Sequence, residues 1–272
     1  MKKSIVILIL TLCHTITYAQ RTTIIPSSYI AGNASVAYDK TWLPFHNPAS
    51  LGRIKTTGFS LLYENKYITK ELSNKVANIW TTTPLVNIGG SFSHFGYAQY
   101  NEILASLSFA KEFGKRFSLG VDAIYYNVFV GENNTHRQTF TTQVGASVRL
   151  SETFSVACSA FNPIFSKIKS EYTQKTLPTL FSIGSQYKFR NSVKWLVQLD
   201  KEIASPMRWA TGFEYSPVEL FCVRIGGYGY NDFRPTIGLG INIDYVSINM
   251  SADYNSSLGF AMLGAVVFEF NK

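Results

Sequence analysis

Few residues in this chain combine the types and the spacing that catalysis or metal binding requires. Ser93 and His94 are adjacent, but neighbours in an extended strand point to opposite faces and cannot share a hydrogen bond. His46, His94 and His136 fall in unrelated segments without metal-ligand spacing. We find no nucleophile-elbow, zincin, phosphate-loop or dinucleotide motif. We therefore expect a protein that is not an enzyme and that uses no cofactor or metal.

Charged side chains recur on one face of strand-like stretches that are otherwise apolar. Inside a barrel they would face the lumen, where an unpaired charge is costly and opposite charges should pair. They could form a polar permeation path, or they could be paired charges that hold an internal segment. We favour the second, because fourteen strands enclose little room around such a segment. These predicted lumen charges are Glu102, Asp122, Lys194, Asp200, Glu202, Glu214, Arg224 and Asp253.

A hairpin-like stretch near the end of the chain, Pro235 to Tyr254, shows the element that would position these charges. Ile237, Leu239, Ile241 and Ile243 alternate with polar residues and glycines, which is the period of a strand with one apolar face. The alternation begins at Thr57, and we count fourteen strands. The second, near residues 75–83, is the weakest, because it could be helical. We predict an all-β fold: a fourteen-stranded antiparallel transmembrane β-barrel over residues 57–272.

The connections between these strands differ in length. Those after even-numbered strands are tight turns, such as Ser151-Glu152, whereas several after odd-numbered strands are longer, up to Pro163–Leu177. Outer-membrane barrels have short periplasmic turns and longer outer loops. In the final strand Phe268 and Phe270 share the outward face. An aromatic residue near this end resembles the signal by which outer-membrane barrels are recognised for insertion.

The amino terminus and the composition indicate export to the bacterial (Gram-negative) outer membrane. Residues 1–19 have the charged start, apolar run and small residues of a signal peptide cut before Gln20. Lipid attachment at Cys13 is disfavoured by the bulky Leu12. Aromatic and charged residues each make up 15% of the chain, which suits a barrel with aromatic girdles. The net charge is +8, but the basic residues are scattered, so we expect contact with membrane lipid and not with nucleic acid.

Residues 20–56 do not alternate, and we predict that they form an N-terminal plug, or hatch, inside the barrel. Asn47 and Pro48 read as a turn, and Ala49 begins a short helical piece. An apolar segment attached to a barrel needs a dry site, which the lumen provides. A loosely packed periplasmic arm is the alternative.

Gly89 and Gly90 interrupt the third predicted strand. Paired glycines in a strand often mark a bulge or kink, and a kink in the wall could open a side exit for an apolar ligand. Alternatively, glycine here lets the N-terminal segment pack closely against the wall. The sequence leaves both interpretations open.

The chain resembles a known family in several motifs. The stretch G-N-A-S-V-A-Y-D, then H-N-P-A-S-L-G around Asn47 to Ala49, then G-G-S-F-S-H-F-G from Gly89 to Gly96, are similar to FadL-type outer-membrane barrels, and most closely to their PorV/PorQ branch. That branch is associated with type IX secretion. The resemblance covers essentially the whole mature chain.

The resemblance implies one of two non-enzymatic functions. Members of the PorV/PorQ branch hold or dock other proteins, which implies an accessory subunit of an outer-membrane protein export or assembly complex, with other outer-membrane or secretion proteins as partners. This is our first expectation, because long outer loops are scarce. The alternative is a FadL-like channel for small hydrophobic molecules.

Overall fold

The computed structural model describes residues 25–168, 175–189, 192–203, 205–230 and 232–270. The predicted signal peptide, residues 1–19, lies outside these ranges. Fourteen antiparallel strands form a closed barrel, which confirms the predicted fold class and strand number. The strands and their connections account for nearly all of the described residues after Thr57.

The strands are numbered in chain order, and β8 and β9 form a separate small hairpin inside a loop. Their bounds are β1 Thr57–Lys66, β2 Ser73–Thr81, β3 Asn87–Tyr97, β4 Tyr100–Phe113, β5 Phe117–Val130, β6 Thr135–Arg149, β7 Phe154–Phe161, β8 Lys167–Ile168, β9 Lys175–Thr176, β10 Leu180–Phe189, β11 Val193–Glu202, β12 Met207–Val218, β13 Phe221–Gly229, β14 Phe233–Ile243, β15 Val246–Asn255 and β16 Gly259–Phe270. Four short 3-10 helices are Ala31–Asn33, Pro48–Arg53, Lys70–Leu72 and Gly131–Asn133.

Each barrel strand pairs with its neighbours along the chain, and β1 closes the barrel against β16. β7 pairs with β10 across the loop that carries β8 and β9. The weak second strand of the sequence is the regular strand β2, which pairs with both β1 and β3. Its helix-like pattern is overridden because two neighbouring strands supply ladder hydrogen bonds.

The two faces of the wall follow the alternation in the sequence. Outward positions are apolar and exposed, for example Leu107, Phe181 and Trp195, and on β11 and β12 the rings of Trp195 and Phe213 stack. At the closure of the barrel between β1 and β16, Phe59 stacks on Phe268 with ring centroids 4.6 Å apart. Inward positions are buried and mix polar residues and glycines with large apolar ones, such as Trp80 and Phe161. Among the described residues, no helix is long and apolar enough to cross a membrane.

The buried core lies in the lumen, because the outward apolar face is exposed. Its clusters join N-terminal residues to inward residues of the wall. Trp42 and Leu51 pack with Trp80 and Val267, and Phe45 packs with Phe161. The chain's own N-terminal residues therefore occupy much of the lumen.

Candidate functional site

Residues 25–56 lie inside the barrel and contact inward side chains of the wall. The backbone N–H of Val36 donates to Gln198 Oε1 at 2.9 Å, and the Tyr38 hydroxyl donates to Glu214 Oε2 at 2.9 Å. Trp42 is only 2% exposed and Phe45 1%. Such burial is that of a packed core, not of a loose arm.

Six inward glycines of the wall lie where this segment comes closest. A Cβ on Gly89 would lie 2.5 Å from the Trp42 ring, one on Gly120 would lie 2.4 Å from the Pro48 carbonyl carbon, and one on Gly212 would lie 2.5 Å from the Ala31 carbonyl carbon. Any larger residue would collide with the segment. The six are Gly89, Gly120, Gly145, Gly184, Gly212 and Gly226. Sequence reasoning singled out only Gly89. The recurrence of glycine at inward-facing positions of several strands could nevertheless have been recognised from the alternation.

The wall has no kink at Gly89 and Gly90. The β3 ladder runs without a register shift past both glycines, to β2 on one side and β4 on the other. Of the two interpretations that the sequence left open, the unbroken ladder therefore favours close packing of the N-terminal segment over a bulge or kink. Gly89 accommodates Trp42, and Gly90 faces outward, where a Cβ would make ordinary contact with Ile79 at 3.7 Å.

The Asn47-Pro48-Ala49 motif forms a capped turn deep in the lumen. Asn47 Oδ1 accepts from the Ala49 N–H at 3.0 Å, and Asn47 Nδ2 donates to the Val36 carbonyl at 2.7 Å. Pro48 occupies the first position of the 3-10 helix Pro48–Arg53, where its missing N–H costs nothing. The motif thus joins two parts of the N-terminal segment and directs its helix against β4 and β5.

Glu214 is the centre of a buried charge network. Its carboxylate accepts from Arg224 Nε at 2.9 Å and lies 3.2 Å from Lys194 Nζ. It also accepts from the Tyr38 hydroxyl, so it links three wall strands to the N-terminal segment. The β11–β12 and β12–β13 registers place the three charges side by side. Here the predicted lumen charges pair with each other, as expected for a low-dielectric interior.

A second group of charges lies nearer the outer end of the barrel, which is the end that carries the loop with β8 and β9. Asp200 pairs with Arg208, and Arg208 Nη2 donates to the Asn33 carbonyl at 2.9 Å. Asp39 pairs with Lys188 at 2.7 Å at the opposite end of the lumen. Although burial opposes its charge, the Lys194 and Lys188 ammonium groups hold the pKa of Asp39 below its usual range. An ion pair at one end and a hydrogen bond from the paired Arg208 at the other therefore anchor the N-terminal segment to the wall.

The remaining predicted lumen residues also face inward, and three of them accept hydrogen bonds from hydroxyl groups. The Tyr126 hydroxyl donates to Glu102 Oε2 at 2.6 Å, Tyr228 donates to Asp253, and Ser205 Oγ donates to Glu202 at 3.1 Å. Asp122 is 1% exposed, and its Oδ1 has no hydrogen-bond partner among the described residues.

An open cavity of about 320 Å³ remains above the N-terminal segment, at the outer end of the lumen. One side is apolar and includes Phe45, Phe161 and Leu180. The other side is charged and includes Arg208, Arg234 and Asp253, all of which the alternation of their strands directs inward. The cavity could hold a small molecule with its apolar part against one wall and a polar group against the other.

The backbone carbonyl of His46 is part of the cavity floor's attachment to the wall. It accepts from Gln143 Nε2 at 2.9 Å and from Ser159 Oγ at 2.8 Å, while Nδ1 of its imidazole lies 2.6 Å from Ser35 Oγ. Burial, assisted by the nearby Arg208 guanidinium, lowers the pKa of His46 from 6.5 to about 4. The imidazole is therefore neutral at pH 7.

The structure assembles no catalytic group from the histidines singled out in the sequence. Ser93 faces inward and donates to Asn74 Oδ1 at 2.9 Å, whereas His94 faces outward on the same strand. In the part of the chain that the structure describes, no three His, Cys, Asp or Glu residues are grouped to hold a metal. Cys158 and Cys222 are both free.

The fold is shared with solved transporter structures of low sequence identity. The toluene transporter TbuX of Ralstonia pickettii is 11% identical, with a TM-score of 0.64 over 91% of this chain and 98% of that chain. The toluene transporter TodX of Pseudomonas putida is 9% identical, with a TM-score of 0.64 over 90% and 97%. A FadL homologue of Pseudomonas aeruginosa is 11% identical, with a TM-score of 0.57 over 90% and 97%.

No family model matches the chain, and no curated protein matches it. At these identities the likeness shows the fold, which is that of FadL-type barrels. Its solved neighbours are transporters rather than enzymes. The narrower resemblance to the PorV/PorQ branch stays a prediction.

Proposed function

We propose that this chain is an outer-membrane barrel of FadL type that takes up small hydrophobic molecules through the cavity at its outer end. The observation that carries the proposal is the cavity itself, about 320 Å³ in volume with an apolar side and a charged side. Ligand sites are typically such concave, partly apolar cavities with a few polar groups. The likeness in fold to the toluene transporters TbuX and TodX supports this alternative more than the accessory role that the sequence favoured.

The proposal assigns a role to each part of the chain. Residues 1–19 are a signal peptide, residues 20–56 are the plug and residues 57–272 are the barrel. The capped turn at Asn47, Pro48 and Ala49 and the inward glycines support the plug assignment, because they fit the segment to the wall. Phe268 and Phe270, at the end of β16, form the insertion signal.

The plug also defines the path of a ligand. Pro26, Phe45 and His46 form part of the cavity floor. Because the β3 ladder is unbroken, a ligand leaves the cavity when this floor moves and not through a gap at Gly89 and Gly90. The lumen charges then hold the plug rather than conduct ions.

Ligand binding tests the proposal. Isothermal titration calorimetry of the detergent-purified mature chain with toluene and with octanoate should detect saturable binding of at least one. Leu180→Trp, which fills the cavity, should abolish it. Ile183→Trp places the same ring on the outward face of the same strand, where Ile183 is 54% exposed, and should bind normally. Absence of binding by the wild type would overturn the channel proposal.

An accessory role in a protein export or assembly complex is the second candidate. The dense packing of the plug against the wall glycines and the unbroken wall favour it, since both suit a barrel that transports nothing. Affinity purification from mild detergent should then recover stoichiometric outer-membrane or secretion proteins. Recovery of the barrel alone would count against this role.

A further inference from the structure

A groove of about 600 Å³ lies on the outward wall and crosses β1 to β3 and β16. It arises because small residues lie between large ones. Ala77 forms its floor between Leu61 and Phe92, and Gly264, whose missing Cβ would meet nothing within 4 Å, widens it toward β16. The groove is apolar and lies on the face that the proposed location turns to lipid. Its apolar lining suits part of an acyl chain.

A row of polar side chains closes the outer end of this groove. The registers place Tyr63, Lys75 and His94 directly opposite one another on β1, β2 and β3. All three occupy outward positions, and Tyr63 is 47% exposed. Lys75 lies two residues after the start of β2, near the outer ends of these strands. The row therefore lies at the depth of lipid headgroups if the barrel spans the outer membrane.

Lys75 has no ion-pair partner among the described residues. A lysine on the lipid face is costly at mid-membrane and nearly neutral in cost at the interface, where its ammonium group can reach polar headgroups. An anionic headgroup would supply the missing partner. A phosphate would gain a charge-assisted hydrogen bond from the Lys75 ammonium.

His94 adds a donor to the same row. Its Nδ1 is buried and has no hydrogen-bond partner in the part of the chain that the structure describes. A buried N–H without an acceptor is costly, which favours the tautomer that carries its proton on Nε2. That N–H is then free to donate at the groove end, together with the ammonium of Lys75.

A second outward groove provides an internal comparison. It has a volume of about 550 Å³ and is floored by Ala146, Cys158 and Ala160, with Lys201 at one end. There the lysine is already satisfied, because Lys201 Nζ donates to the Ser205 carbonyl at 2.6 Å. Thus both grooves have an apolar lining. They differ in that the Lys201 ammonium group is already hydrogen-bonded, whereas the Lys75 ammonium group can bind an anion.

We propose that the groove over β1 to β3 binds a phosphorylated, multiply acylated glycolipid of the outer leaflet, of the lipid A kind. An acyl chain lies along Leu61, Ala77 and Phe92, and a sugar phosphate meets Lys75 and His94. The assignment to an outer-leaflet lipid rests on the proposed outer-membrane location, which places the outer ends of β1 and β2 in that leaflet. The site is separate from the lumen cavity.

Native mass spectrometry of the detergent-purified mature chain, titrated with bisphosphorylated lipid A, tests this site. Lys75→Gln should weaken lipid A binding about tenfold, as expected for the loss of one charge-assisted hydrogen bond. Lys201→Gln, the matched control, should not change it. Lipid A without phosphates should bind the wild type about as weakly as intact lipid A binds the Lys75→Gln variant.

Ala77→Phe, which fills the groove floor, should weaken binding of bisphosphorylated lipid A and of lipid A without phosphates. Equal affinity of wild type and Lys75→Gln, or equal loss in Lys201→Gln, would overturn the proposal. So would phosphatidylglycerol binding as tightly as lipid A. Calorimetry with octanoate and toluene on Lys75→Gln separates the groove from the lumen cavity. The binding of these two probes in the lumen should be unchanged in this variant.

Discussion

The side-chain oxygen of Asn47 occupies the space that a side chain at residue 145 would need: a Cβ on Gly145 would lie 2.0 Å from Asn47 Oδ1. Gly145 of β6 and the capping residue Asn47 of the N-terminal segment are thus complementary in shape. The same Oδ1 already accepts from the Ala49 N–H, so it cannot rotate away without loss. The wall and the segment inside it are fitted as one core.

Gly145→Ala should therefore destabilise the protein, by about 1–3 kcal/mol for overpacking at a buried site. Thermal unfolding of the detergent-purified chain measures the loss. Gly264→Ala is the matched control, because a Cβ there would meet nothing within 4 Å. Equal melting temperatures for the two variants would contradict the fitted packing.

Gly89 and Gly90 are neighbours on β3, and we expect alanine substitution to change stability differently at the two positions. Gly89→Ala should destabilise by about 1–3 kcal/mol, because its Cβ would lie 2.5 Å from the Trp42 ring. Gly90→Ala should be neutral or slightly stabilising, since its outward Cβ has room and alanine restricts the unfolded chain. Chemical unfolding of both variants measures this, and the result would be reversed if Gly90 marked a kink.

Removal of the Glu214 carboxylate should be among the costliest polar changes in the lumen. Glu214→Gln leaves Lys194 and Arg224 without their shared carboxylate, and breaking a buried pair on one side costs about 3–5 kcal/mol. Lys55→Gln, at the rim pair Lys55–Glu112, should cost less than about 1 kcal/mol because it is exposed. The melting temperatures of Glu214→Gln and Lys55→Gln measure the two losses of stability. Similar small losses in both variants would show that the Glu214 network does not hold the plug.

The depressed pKa of His46 makes stability depend on pH. The folded imidazole stays neutral down to about pH 4, whereas in the unfolded chain it is protonated below about 6.5. The unfolded state then binds more protons between these values, so this contribution is complete above about pH 6.5 and is lost as the pH falls toward 4, by up to about 1.4 kcal/mol per pH unit.

His46→Gln should flatten this pH dependence relative to the wild type. Melting curves of the two proteins at pH 7, 5.5 and 4.5 isolate the effect, because carboxylates titrate in both. Parallel curves would mean that His46 is not buried as a neutral group.

The barrel could be predicted from the sequence because strand alternation has a strict period that each segment carries locally. That period fixed the inward faces of Glu214 and Arg224, and strand adjacency then implied their pairing. Even the doubtful β2 followed once its neighbours were strands.

The interior of the lumen could not be predicted in the same way. Contacts between Asn47 and Gly145, or Trp42 and Gly89, join residues far apart in the chain and leave no periodic pattern. The sequence left the role of Gly89 and Gly90 open for this reason, since a glycine that admits a ring looks the same in sequence as one that bends a strand. The cavity depends on which volume the N-terminal segment leaves empty, which only the packed structure defines.

Uptake of radiolabelled octanoate and toluene by bacterial cells that express the protein tests the channel proposal most directly. Wild type and Ile183→Trp should take up at least one of the probes faster than cells without the protein, and Leu180→Trp should lower uptake to the level of those cells. Equal uptake by Leu180→Trp and Ile183→Trp, at equal amounts of folded barrel, would contradict the proposal that the outer cavity of the lumen is the route of entry.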